Sequence, residues 1–221
     1  MNTTDIELFI FDFDGTLYNL DGFTKRLLVR LGLRLFWANQ ERKLRHHIMG
    51  SFYGSTEIFQ KEYFTSLGKI CRTCPEKVQK WYHEKYMPAM VETLKKHFTK
   101  REGVDQLLEK LKKDGKKIVV FSDYCMVKER CAAVGIDTSM MDNFLSAEEL
   151  GGLKPAAEPF LKIAEMYSVA PEKCLVIGDR FDTDGLGAKN AGMNFLLVKT
   201  HKTRAEDLSK AVEFEEIIER F

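Results

Sequence analysis

The chain has 221 residues, 44% of them hydrophobic and 30% charged, which suits one large core with a smaller satellite domain and excludes a disordered, collagen-like or membrane-bundle protein. Its 34 Lys and Arg against 33 Asp and Glu lack the footprint of a dedicated nucleic-acid binder, and no nucleic-acid partner is expected. Five cysteines, an odd number, fit a reduced cytoplasmic setting better than a disulfide framework.

Leu8 to Phe11 is an apolar run closed by Asp12. With no basic segment before it, this reads as a first buried strand and not as a signal peptide or a membrane span, so no membrane partner is expected. From residue 19 to 97 the pattern is helical throughout. Breaks at Gly50 to Ser55, Gly68 to Pro75 and Met87-Pro88 would divide it into three or four helices. Between Asp21 and Phe98 there are 15 Lys and Arg against 7 Asp and Glu, so this insert carries +8 and the remainder −7. Within it Arg26, Arg30 and Arg34 recur every four residues beside Leu27, Leu31 and Leu35. The favoured reading is a solvated basic helix face, with substrates of additional negative charge as the sharper one.

Beyond the insert, Val104, Leu107, Leu108 and Leu111 have helical spacing, and Ile118 to Phe121 forms a second strand ending at Ser122. Phe160, Leu161, Ala164 and Met166 predict another helix before a strand at Cys174 to Ile177, which ends at Gly178-Asp179. Phe195 to Val198 reads as one more strand, and Val212, Ile217 and Ile218 as a closing helix. This alternation predicts an α/β fold with a doubly wound parallel sheet. Residues 1–18 and 98–221 would form the core and residues 19–97 an inserted helical domain.

In open parallel sheets ligands bind beyond the carboxyl ends of the strands, which is where the unusual polar residues fall. Asp12 and Asp14 follow the first strand, and Asp179 follows another, with Asp182 and Asp184 in the next turn. Clustered carboxylates beside a core are costly to keep ionised without a counter-charge, so Asp12, Asp14, Asp179 and Asp184 suggest a hard divalent cation, Mg²⁺ above all. Asp182 reads instead as a helix N-cap. Ser122 can donate a hydrogen bond and Lys154 can present a point charge, so together they could hold a phosphoryl group.

Four motifs in order resemble those of the haloacid dehalogenase superfamily. They are Asp12-Phe13-Asp14-Gly15-Thr16-Leu17, Phe121-Ser122-Asp123, Leu153-Lys154-Pro155, and Gly178-Asp179 through Asp184. The resemblance implies a Rossmann-like core with the insert as a helical cap of the C1 type, hinged near Leu17 to Asp21 and His97 to Gly103. It implies that Asp12 is a nucleophile forming an aspartyl-phosphate, that Asp14 is the general acid and base, and that Ser122 and Lys154 bind the phosphoryl oxygens. Mg²⁺ would lie on Asp12, the Asp14 carbonyl and Asp179, supported by Asp184. The expected activity is a Mg²⁺-dependent phosphatase for a small-molecule phosphate monoester. A phosphomutase, and a binding protein that uses the basic insert, are the alternatives.

Asp123 departs from the family pattern and would bring extra negative charge to the anion site unless it turns away. Phe13, between the two acids, reads as core. Gly185-Leu186-Gly187 lacks the third glycine of a dinucleotide fingerprint, with Asn190 in its place. Cys71 and Cys74 form half a zinc spacing without the other half, and adjacent His46 and His47 point apart on a helix. None of these is expected to act.

Overall fold

The computed structural model describes residues 5–31, 35–201 and 203–221. Its centre is a parallel six-stranded sheet in the order β3-β2-β1-β4-β5-β6, a Rossmann-like arrangement. The strands are β1 (Leu8–Phe11), β2 (Lys117–Ser122), β3 (Asn143–Ser146), β4 (Cys174–Gly178), β5 (Asn194–Val198) and β6 (Ala211–Val212). β1 and β4 are buried along their whole length, which is why they read as unbroken apolar runs. Phe11 is level with Val120 of β2 and Ile177 of β4, so the residues that follow β1 and β4 emerge side by side.

Two strands are invisible to hydropathy. β3 presents only Phe144 and Leu145 between polar ends, and β6 has two residues at the sheet edge; both exist because a neighbouring strand offers them a ladder. The core helices are α6 (Val104–Lys113), α7 (Val127–Ala133), α8 (Ala157–Met166), α9 (Leu186–Asn190) and α10 (Phe214–Arg220). α8 buries Pro159, Phe160, Ile163 and Ala164; of the positions the sequence suggested, Phe160 and Ala164 face the core, while Leu161 and Met166 are exposed. The Phe160 ring meets Phe121 edge-on and pins α8 to β2.

Between β1 and β2 the chain forms α1 (Phe23–Leu31), α2 (Leu35–His47), α3 (Thr56–Ile70), α4 (Pro75–Trp81) and α5 (Met87–His97). Ser55 caps α3 by accepting from the Ile58 N–H, and Pro75 opens α4 where no N–H is needed. The expected break at Met87-Pro88 does not occur. A π-helical turn, Tyr82–Tyr86, joins α4 to α5, and the Met87 N–H reaches back to the Tyr82 carbonyl. This wider turn accommodates a proline that would otherwise leave a carbonyl unpaired and crowd the turn before it.

The helical insert meets the core along two seams. The segments leading in and out lie side by side, with the Arg101 N–H donating to the Leu17 carbonyl at 2.9 Å and Tyr18 bridging to Lys100. At the other seam Gly50 and Tyr53 donate to the carbonyls of Lys154 and Gly151, and Leu153 donates back to Ser51. Gly151 and Gly152 permit this approach, because a Cβ on either would lie within 2.9 Å of the opposing backbone.

Candidate active site

Asp12 is the first residue beyond β1, still in the sheet through its N–H to the Ile177 carbonyl at 2.8 Å. The chain then turns tightly, with Thr16 and Leu17 donating to the Phe13 carbonyl. Phe13 is buried, as its place between two acids suggested. Gly15 has φ of 95°, and a Cβ there would overlap the Asp179 carboxylate; this backbone must be bare for the loops after β1 and β4 to touch. The carbonyls of Gly15 and Thr16 accept from the Arg101 side chain at 2.7 and 2.9 Å.

Asp12, Asp179 and Asp184 form one buried cluster whose carboxylate oxygens lie within 4.8 Å of one another. Asp184 comes from a second π-helical turn, Phe181–Gly185, and packs over Gly178, where a Cβ would fall 2.5 Å from its carboxyl carbon. Lys154 is buried and donates to Asp12, Asp184 and the Phe121 carbonyl, each at 2.8 Å. Asp12 also accepts from the Thr16 hydroxyl at 2.9 Å. Among the described residues, the Asp179 carboxylate has neither a hydrogen-bond nor an ion-pair partner.

Burial pushes the Asp12 carboxyl up to about 7, against Lys154, which lowers it, and with Asp184 and Asp14, which raise it further. Burial and then the Asp12 and Asp184 charges push Asp179 up to about 8. Burial works against the Lys154 charge, but Asp12, Asp184 and Asp123 outweigh it and hold the ammonium above its ordinary range. Three clustered acids and one lysine therefore leave an excess of negative charge that the site must neutralise with protons or a cation.

The Asp14 side chain turns away from this cluster. One oxygen accepts from the Tyr18 hydroxyl at 2.7 Å, the other from Ser122 at 3.2 Å and from Arg130, which ion-pairs with it. Asp123 lines the same cavity as these groups, and its carboxylate accepts from the Lys154 N–H at 2.9 Å and braces the loop that carries the lysine. Asp182 is not a helix cap. It is held by Arg180 and Arg204 at 2.8 and 3.1 Å, outside the carboxylate cluster.

The basic stripe on α1 does not face these residues. Arg26 stacks on Phe98, Arg30 pairs with Glu92, and Arg34 lies outside the described residues. His46 and His47 are exposed, and Cys71 and Cys74 are free thiols. Sequence reasoning missed Arg130 and Arg42. Arg130 had a signal: it shares a helical face with Val127, Cys131 and Val134, positions a core helix reserves for apolar side chains.

A cavity of about 440 Å³ opens above the carboxylates. The helical insert lines it with Phe23, Leu27, Tyr86 and Met90, which are apolar or aromatic, and with Arg42. Among the described residues Arg42 has no carboxylate partner, whereas Arg180 and Arg204, which also line the cavity, are paired to Asp182.

A family model described as haloacid dehalogenase-like hydrolase matches residues 6–192. A glyceraldehyde 3-phosphate phosphatase of Methanothermobacter thermautotrophicus is 28% identical over 215 residues, spanning 89% of this chain and 87% of the relative. Pyrophosphatase PpaX of Bacillus mycoides is 27% identical over 210 residues, spanning 90% and 87%. Among solved structures, CbbY from Rhodobacter sphaeroides in complex with phosphate superimposes with a TM-score of 0.66 at 20% identity, over 94% of this chain and 92% of that one.

Proposed function

The chain belongs to the haloacid dehalogenase-like hydrolases, and we propose that it is a Mg²⁺-dependent phosphatase that hydrolyses a small-molecule phosphate monoester through an aspartyl-phosphate on Asp12. The observation that carries this reading is the placement of a buried lysine on the candidate nucleophile within a three-carboxylate cluster. Both relatives are named as phosphate-releasing enzymes.

The residues fit the metal that the family implies. A hard divalent cation takes oxygen donors, and Asp12, Asp179 and the Asp14 carbonyl would hold it, with Asp184 beside them. When bound, Mg²⁺ would neutralise the carboxylates and the charge on the phosphoryl oxygens. Lys154 and Ser122 would take the phosphoryl oxygens and set phosphorus in line with Asp12. The Asp12 oxygen forms a bond to phosphorus as the ester P–O bond breaks, and Asp14 gives a proton to the departing alcohol. Asp14 then takes a proton from the water that attacks the phosphoaspartate, which releases phosphate and restores Asp12.

The insert, residues 19–97, acts as a cap over this chemistry in this reading, and its apolar wall with Arg42 supports a leaving group of small size with a carbon skeleton and a polar or anionic end. The free cysteines are compatible with a cytoplasmic setting.

The test is phosphate release from a panel of phosphate esters with Mg²⁺, with chelator, and with Asp12→Asn. Metal-dependent release that drops roughly 10⁴-fold or more in the variant is expected. Substantial turnover by Asp12→Asn would exclude the covalent route, and isomer formation from sugar phosphates in place of phosphate release would replace the phosphatase by a mutase.

A further inference from the structure

Arg130 has no part in the reaction just described, yet it is the most completely buried cation at the site. Burying a guanidinium is strongly unfavourable unless its donors are taken up. Here Nη2 donates to the Asp14 carboxylate, and Nη1 donates to the Ser122 hydroxyl oxygen at 3.0 Å and to the Tyr124 carbonyl at 3.1 Å. Its carbon lies 4.8 Å from the centre of the Phe13 ring. Nε has no partner, so the group is not placed to satisfy all of its own donors. Two of its contacts are the side chains of the candidate acid and base and of the candidate phosphoryl-binding hydroxyl.

The consequence for Ser122 is specific. A serine hydroxyl has two lone pairs and one proton. Arg130 Nη1 takes one lone pair, and the Tyr124 N–H takes the other at 3.3 Å. The hydroxyl is left with only its proton to offer, the polarity a phosphoryl oxygen requires, and it donates it to Asp14. For Asp14, Arg130 and the Tyr18 hydroxyl hold different oxygens of the carboxyl group, which fixes the plane of that group. Without the guanidinium, Asp14 would keep only the hydroxyl bonds from Tyr18 and Ser122, and Ser122, with one lone pair released and held only by the Tyr124 N–H, could swing its proton away from the reactive direction.

We propose that Arg130 is a positioning residue that locks Asp14 and Ser122 into one reactive arrangement, a role that rests on the phosphatase reading above. Its loss should be felt unequally. Expulsion of an alkoxide needs a proton from Asp14, whereas an activated phenolate leaves without one; hydrolysis of the phosphoaspartate needs Asp14 as base whichever group has left.

The experiment is rapid-quench and steady-state kinetics of wild type, Arg130→Met, Arg130→Lys and Asp12→Asn with Mg²⁺, on para-nitrophenyl phosphate and on glycerol phosphate. In Arg130→Met we expect a burst of nitrophenol close to one per enzyme, at a rate within about 10-fold of wild type. Turnover after it should be roughly 100-fold slower, and glycerol phosphate hydrolysis should fall by at least about 100-fold. Arg130→Lys should recover part of the turnover, since an ammonium can pair with Asp14 but cannot also fork to Ser122.

An equal fall in burst rate and in turnover on both esters, or wild-type kinetics in both variants, would overturn the proposal. Should Arg130→Met fail to fold by circular dichroism, the same comparison between esters is read from Arg130→Lys. A wild type that releases no phosphate, or a burst that survives in Asp12→Asn, would sink the phosphatase reading itself, and the role of Arg130 with it. Those results are told apart from a failure of Arg130 alone, because they are read without any Arg130 variant.

Discussion

Gly15 couples two loops that the chain places more than 160 positions apart. Its positive φ lets the turn after β1 pass under Asp179, and the missing Cβ is the space the carboxylate occupies. Gly15→Ala therefore strains the backbone and displaces an acid of the cluster at once. Calorimetric titration with Mg²⁺ should show affinity reduced roughly 10- to 100-fold, the range for changes in the support of a metal ligand. Gly54, equally left-handed but open on all sides, is the control: alanine there should leave Mg²⁺ affinity unaltered. Equal affinity in wild type and Gly15→Ala would show that the Asp179 contact does not matter to the ion.

At the scale of elements, the seam between insert and core is closed by a buried charge cluster as well as by backbone pairing. Arg45 of α2 donates to Glu41 at 2.8 Å, to Glu148 of the core at 2.8 Å and to the Asp123 carbonyl at 2.8 Å. The hydroxyls of Tyr63 and Tyr82 complete the ring. Burial raises the Glu148 carboxyl, against Arg45, which holds it down. Arg45→Met would strand two buried carboxylates and should destabilise the protein by about 3–5 kcal/mol, measured as a shift in the denaturant midpoint. Adding Glu148→Gln to that variant should recover part of the loss; no recovery would mean that the cost is packing and not charge.

The contrast with the carboxylate cluster shows which placements a sequence can suggest and which it cannot. Asp12, Ser122, Lys154, Asp179 and Asp184 were legible because each sits just beyond an apolar run or in a compact local motif, so a few neighbouring residues specify its place. Arg45 meets partners 37 and 103 positions away, and Arg130 meets Asp14 from 116 positions away. The oddity of charge on an apolar helix face is a hint for Arg130, whereas Arg45 shares its buried face with Glu41 and carries no such mark. β3 and β6 were missed for a related reason: a short strand with polar ends is stabilised by its neighbour, not by its own pattern. The proline at position 88 misled because a π turn upstream, a feature without a hydropathy signature, absorbs it.

For the molecule as a whole, the cost of gathering acids at the carboxyl ends of the central strands links folding, pH and metal. An aspartate in the unfolded chain titrates near about 3.9, whereas burial raises Asp12 to about 7 and Asp179 to about 8. The folded protein thus holds protons at these sites that the unfolded chain has already lost. Their contribution to stability is fully present below the unfolded value, and it is lost as pH rises through the folded values. Thermal unfolding in chelator should accordingly show Tm falling between about pH 5.5 and 8.5. Mg²⁺ acts in the opposite sense, since a divalent ion binds the ionised carboxylates and must displace those protons. Its stabilisation, which follows mass action on the native state, should be small at pH 5.5 and large at pH 8.5, so that the two melting curves diverge with rising pH. Asp179→Asn removes one of these two cluster carboxyls, and should both flatten the slope in chelator and shrink the Mg²⁺-induced rise in Tm. A rise of equal size at pH 5.5 and 8.5, unchanged in Asp179→Asn, would place the ion elsewhere and detach the acid cluster from the stability of the fold.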